Sequence, residues 1–131
     1  MTEKELDAAV GKLCRLYGWR RYHTYRSKHS PAGFPDLVLV KPPRLIFAEL
    51  KSDDGSPTTE QLAWLSDLQK VMLATARFDH ELLTTGEVET YVGPPLVEAH
   101  LWRPRDLQRI ASILAPRDHD LVLTGEVKTT Y

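Results

Sequence analysis

Gly33-Phe34-Pro35-Asp36-Leu37-Val38-Leu39-Val40-Lys41-Pro42-Pro43-Arg44-Leu45-Ile46-Phe47-Ala48-Glu49-Leu50-Lys51 is the stretch on which the fold turns. The apolar run Leu37–Val40 reads as a buried strand, Lys41-Pro42-Pro43-Arg44 turns the chain, and Leu45 to Lys51 returns as a second strand. Side chains alternate along a strand, so Phe47, Glu49 and Lys51 share one face and Ile46, Ala48 and Leu50 the other. A hairpin centred near Pro43 sets residue 36 across from residue 50, with Asp36 within about one pleat of Glu49 and Lys51. A charge inside Phe47-Ala48-Glu49-Leu50-Lys51 breaks an otherwise buried pattern, and such breaks are where functional residues sit.

Upstream, Thr2-Glu3-Lys4-Glu5 has the form of a capping box, and Leu6, Ala9, Val10, Leu13, Cys14 and Tyr17 follow at helical spacing. Gly18 is a natural stop. Trp19 to Tyr25 is a candidate first strand, and residues 26–35 read as a loop. Downstream, Ser52 to Pro57 is hydrophilic. Thr58-Thr59-Glu60-Gln61 is a second capping box opening a helix from about residue 59, with Leu62, Leu65, Leu68 and Met72 on its apolar side. Val97 to Trp102 alternates like a strand, and Pro104 starts a helix whose inner face is Leu107, Ile110, Ile113 and Leu114.

Two stretches echo each other. Leu82-Leu83-Thr84-Thr85-Gly86-Glu87-Val88-Glu89-Thr90 parallels Leu121-Val122-Leu123-Thr124-Gly125-Glu126-Val127-Lys128-Thr129, and each reads as a strand, a Gly-centred turn and a strand. The expected layout is a single α/β domain over 1–131. Its core spans about 2–72 and 97–115, with an inserted segment over 74–96 and a C-terminal β extension over 116–131.

A chain of 131 residues can bury one sizeable core. No apolar run is long enough to span a bilayer, and Met1-Thr2-Glu3-Lys4-Glu5 lacks a secretory layout, which points to a cytoplasmic protein with no membrane partner. Cys14, the only cysteine, excludes an internal disulfide and a thiolate zinc cluster. The five histidines show no metal-ligand spacing. Net charge is −1, yet between Ala8 and Pro35 there is no acid, while Lys12, Arg15, Arg20, Arg21, Arg26 and Lys28 fall there. That asymmetry suits either a local phosphate-binding surface or a solvated face.

Asp36, Glu49 and Lys51 carry the chemistry. Two clustered carboxylates repel, and without a counter-charge one takes up a proton. Mg²⁺ resolves this, because it prefers oxygen ligands and keeps several waters; Mn²⁺ is a natural substitute. Asp36, Glu49 and the backbone carbonyl of Leu50 are the candidate ligands. A metal-bound water beside a phosphodiester is a better nucleophile, and Lys51 can orient it or offset charge growing on the phosphate.

Asp36…Glu49-x-Lys51 resembles the PD-(D/E)xK nuclease signature. Ala32 to Val40, Phe47 to Ser52 and Thr59-Glu60-Gln61 are similar to the small stand-alone VRR-NUC branch, related to archaeal-type Holliday-junction resolvases and common in phages and bacteria. The resemblance implies a restriction-endonuclease-like core, a central mixed sheet flanked by helices, here with extra β-hairpin segments. It implies a divalent-metal-dependent DNA endonuclease, acting on branched DNA such as four-way junctions. Exonucleases, nickases and a catalytically silent DNA-binding module of the same fold are the alternatives. Asp36 and Glu49 match the metal-binding acids and Lys51 the catalytic lysine. Gln61 matches a glutamine lining the site, or else only closes its capping box. The resemblance also implies an acid on the first helix: Glu3, in line with the buried face, is favoured, with Glu5 as competitor. Tyr25, Arg26, Ser27, Lys28, His29 and Ser30 are the expected DNA contacts. Resolvases of this fold work as pairs, so a homodimer is expected.

Overall fold

Thr2 starts the first helix. Its Oγ1 accepts from the Glu5 N–H at 3.1 Å, and Glu5 Oε1 accepts from the Thr2 N–H at 3.0 Å, satisfying two otherwise orphaned donors. The computed structural model describes residues 1–25, 29–85 and 95–116, with the backbone alone over 76–85. Helix α1 runs Glu3–Tyr17 and ends at Gly18, whose φ of 78° is the left-handed conformation that glycine adopts without strain. Strands β1 (Arg20–His23), β2 (Leu37–Lys41) and β3 (Arg44–Leu50) follow, then α2 (Thr59–Thr85), β4 (Val97–Trp102), a short 3₁₀ turn (Pro104–Asp106) and α3 (Leu107–Leu114).

The sheet has the order β1-β2-β3-β4. The first two pairings are antiparallel and β3–β4 is parallel, so the described architecture is α/β with a four-stranded mixed sheet and three helices. Leu37, Leu39, Ile46, Ala48 and Leu50 point to one face and form the core with Leu6, Val10 and Cys14 of α1 and Ile110 and Leu114 of α3. Trp102 completes that core and is fully buried. Cys14 lies within it, and burial pushes its thiol up to about 11, so it is unreactive near neutrality. Helix α2 covers the opposite face over β3 and β4, where Trp64 packs edge-on against Phe34 at 5.1 Å. Among the described residues no helix is long and apolar enough to cross a membrane.

The hairpin register differs from expectation by one residue. Lys41 pairs with Arg44 and Leu37 with Ala48, so Pro42-Pro43 alone make the turn. Carried one pair further, that register sets Asp36 opposite Glu49 rather than Leu50. A one-residue slip exchanges faces, so the observed register puts Asp36 on the same face as Glu49 and Lys51.

Helix α2 also corrects the expected layout. It continues to Thr85, so Leu82–Thr85, expected as the first arm of a β-hairpin in the 74–96 insertion, is helical. Helix-forming residues dominate from Leu73 to Leu83, and the continuing 3.6-residue repeat outweighs the β-branched threonines that follow. The remainder of that segment (86–94) and the extension from 117 to 131 lie outside the described residues. Leu65 is buried as expected, whereas Leu62 is 51% exposed and faces solvent.

A charged pair is buried under the sheet. Arg44 Nη2 and Nε donate to Glu98 Oε2 at 2.7 and 3.0 Å, and Nη1 donates to the Ile113 carbonyl at 2.9 Å. Arg44 is 2% and Glu98 5% exposed. The guanidinium also lies 5.0 Å over the Trp19 ring, whose Nε1 donates to the Leu114 carbonyl. Arg44 thereby ties β3 to β4 and to the end of α3.

Candidate active site

Proline at 35 and the start of β2 deliver Asp36 to the end of the hairpin. Its Oδ2 accepts from the Leu50 N–H at 2.8 Å, and its carbonyl accepts from the Thr24 N–H at 2.8 Å. The carboxylate is therefore held by the backbone of β3 itself. Across from it Glu49 is 1% exposed. Burial above all, then the Asp36 carboxylate beside it, raise the Glu49 carboxyl to about 8; Lys51 opposes this, and Glu3 adds a weaker repulsion. Lys51 Nζ lies 3.8 Å from Glu49 Oε1, and its side chain is 14% exposed. The Lys51 N–H donates to the Trp102 carbonyl at 3.0 Å, which anchors the lysine on the parallel strand.

Gln61 fills both roles that the sequence allows. Its Oε1 accepts from the Thr58 N–H at 2.8 Å, and its Nε2 donates to Glu49 Oε1 at 2.8 Å. The amide that caps α2 thus also fixes one oxygen of the acid. The other, Glu49 Oε2, is buried with no hydrogen-bond partner. A buried carboxylate oxygen without a partner is costly, and it fits a cation better than it fits the empty protein. Among the described residues no three His, Cys, Asp or Glu side chains cluster as a metal cage. Two carboxylates and a carbonyl would leave about half of an octahedral cation's positions to water, a donor set that suits Mg²⁺ better than a cation that demands many protein ligands.

On α1, Glu3 acts on Glu49 through space, while Glu5 is engaged in the Thr2 cap. The cap bond holds the Glu5 carboxyl below its ordinary value. Of the two helix acids, Glu5 is taken up by the cap, and Glu3 is exposed. Of the expected DNA contacts, Tyr25 and Ser30 border a cleft of about 690 Å³ that opens beside Asp36, and His29 is exposed. Arg26, Ser27 and Lys28 lie outside the described residues. Arg21 is not a free cation, since it pairs with Asp7, which also meets His23 at 3.3 Å; the acid sits just before the stretch that lacks acids.

Two residues that position the site escaped the sequence. Arg103 Nη1 donates to the carbonyls of Ser52 at 2.7 Å and Gly55 at 2.6 Å, pinning the loop between Lys51 and α2. Gly33, with φ of 95°, lies so close to α2 that a Cβ would meet the Glu60 backbone at 2.5 to 2.7 Å. Its place beside Phe34 and Pro35 was visible, but its contact with a helix that begins 26 positions later was not. Gly33→Ala is expected to cost at least about 1–2 kcal/mol in urea denaturation, because the left-handed conformation and the clash act together.

The chain matches no family model, no curated protein and no solved structure. The resemblance to the PD-(D/E)xK nucleases therefore rests on the motif residues alone.

Proposed function

We propose that this chain is a divalent-metal-dependent DNA endonuclease of restriction-endonuclease-like fold, with Mg²⁺ as its cation. The observation that carries the reading is the Asp36–Glu49 pair, with Glu49 Oε2 buried and unpartnered and Lys51 alongside. Mg²⁺ bound there would supply a hydroxide-like water at neutral pH and a counter-charge for the phosphate. The chain's own residues do the remainder. Asp36 and Glu49 would hold the cation with the Leu50 carbonyl, and Gln61 fixes the orientation of Glu49. Asp36 is braced by the Leu50 N–H. Lys51, with Nζ 3.8 Å from Glu49 Oε1, would serve as a point charge for the phosphate's developing negative oxygen.

A homodimer acting on branched DNA, with two sites for paired cuts, belongs to the same reading. The test is incubation with Mg²⁺ or Mn²⁺ and labelled single-stranded, duplex, flap and four-way-junction DNA beside Asp36→Ala. Wild type is expected to cut and the variant to lose at least on the order of 10²-fold in rate, the scale of losing one electrostatic contact in an active site. Equal cleavage by both proteins, or none by either, removes the enzyme reading. Symmetric paired nicks on the junction mark a resolvase, and light scattering reports the dimer.

A further inference from the structure

The cleft beside Asp36 has a chemistry of its own. Tyr22 lies opposite Val38 on β2, which puts it on the face of Asp36, and the residue is 64% exposed. Tyr25 is 80% exposed at the rim. Phe34 and Trp64 form a floor, their rings 5.1 Å apart at 82°, and Phe34 is held from behind by Phe47 at 6.1 Å and 90°. Thr24, also in the lining, has a buried Oγ1 with no hydrogen-bond partner.

Among the described residues that line this cleft there is no lysine or arginine. Asp36 and Glu60, in that described lining, would repel a phosphate. Aromatic faces and an unsatisfied hydroxyl suit a neutral, flat, hydrogen-bonding group. The volume is in the range that buries a small ligand, and Asp36 of the acid pair lies in the lining with Gln61. Bases in a duplex are stacked on one another and cannot offer their faces to such rings, whereas unpaired bases can.

We propose that this cleft seats an unpaired base of the strand being cut, stacked on Tyr22 and Tyr25 and hydrogen-bonded by Thr24. The substrate must then present a single-stranded or locally opened segment next to the scissile phosphate. This deepens the nuclease reading and rests on it. Thr24 Oγ1 is the group that would distinguish one base edge from another, and the tyrosines would accept any base.

The test is binding without cleavage, in Ca²⁺, with a short labelled oligothymidylate and a blunt duplex of equal length. Trp64 reports occupancy by fluorescence, since Trp19 and Trp102 are buried in the core. Wild type is expected to bind the single strand more tightly, with quenching that the duplex does not produce. Tyr22→Ala should weaken single-strand binding about tenfold, the scale of one lost stacking partner, with duplex binding unchanged. Thr24→Val, which keeps the shape, should also weaken it, and unaltered thermal melting of both variants would exclude misfolding. Duplex binding as tight as single-strand binding, or an unchanged affinity in Tyr22→Ala, overturns the inference. Neither result bears on whether wild type and Asp36→Ala differ in cleavage, so the two readings fail separately.

Discussion

Replacing Glu49 with glutamine is expected to abolish metal-dependent cleavage while making the metal-free protein more stable at neutral pH. The two effects have one cause. In the folded chain Glu49 holds its proton up to about 8, because it is buried and faces Asp36, while in the unfolded chain it releases that proton near its ordinary value of 4.5. Between those values the folded state carries the extra proton, so stability falls as pH rises. The full contribution is present below pH 4.5 and is gone above pH 8. The slope approaches about 1.4 kcal/mol per pH unit within that window. Glutamine has the same shape and no proton to lose, so Glu49→Gln should flatten the slope and gain a few kcal/mol at pH 7. Cleavage should fall by on the order of 10²–10³-fold or more, since a neutral amide is a poor partner for a hard cation. Denaturation in EDTA at several pH values, beside a cleavage assay, checks both. Parallel pH profiles for wild type and variant would sink the account of Glu49.

Arg44→Met is expected to be the most destabilising single change, by about 3–5 kcal/mol, because it strands a buried carboxylate. Burial alone would raise the Glu98 carboxyl. Hydrogen bonds from His100 and Arg44, with the Arg44 charge, overcome that and hold it below its ordinary value. The stability it contributes is present above the unfolded value of about 4.5 and is lost as pH falls through the lower folded value. Without Arg44, Glu98 keeps only His100 at 3.3 Å, the Ile113 carbonyl loses its donor, and Trp19 loses the guanidinium over its ring. The double variant Arg44→Met/Glu98→Leu should recover much of the loss, since an apolar pair of similar volume carries no desolvation cost. Urea denaturation of wild type, both single variants and the double closes the cycle. A single variant within 1 kcal/mol of wild type, roughly the median for exposed ion pairs, would mean that the pair is not buried in solution.

What the sequence made legible is what local chemistry decides. The Thr2–Glu5 box, the stop at Gly18 and the two apolar strands are specified within a few residues of themselves, and each stands where the pattern puts it. The meeting of Asp36, Glu49 and Lys51 was also legible, because one hairpin joins them. Its register was not: whether Pro42-Pro43 form the whole turn depends on whether Lys41 and Arg44 pair, which composition does not decide. Arg44 looked like a turn residue and Glu98 like the polar side of a half-exposed strand. Their partnership spans 54 positions, and a strand covered on both faces does not follow simple alternation. The helical state of Leu82–Thr85 was hidden by likeness to Leu121–Thr124, two stretches alike in residues but not read from their flanks.

The two-proline turn has a consequence for how this chain tolerates insertion and deletion. Residues facing outward at such a turn can be exchanged freely, yet its length is under a rule of parity. Sliding β2 by one residue against β3 would carry Asp36 to the face of Leu50 and away from Glu49 and Lys51, and would turn Leu37 and Leu39 out of the core. Sliding it by two would restore the face. An odd slide therefore costs the core and the acid pair together, whereas an even one keeps both acids on one side of the sheet.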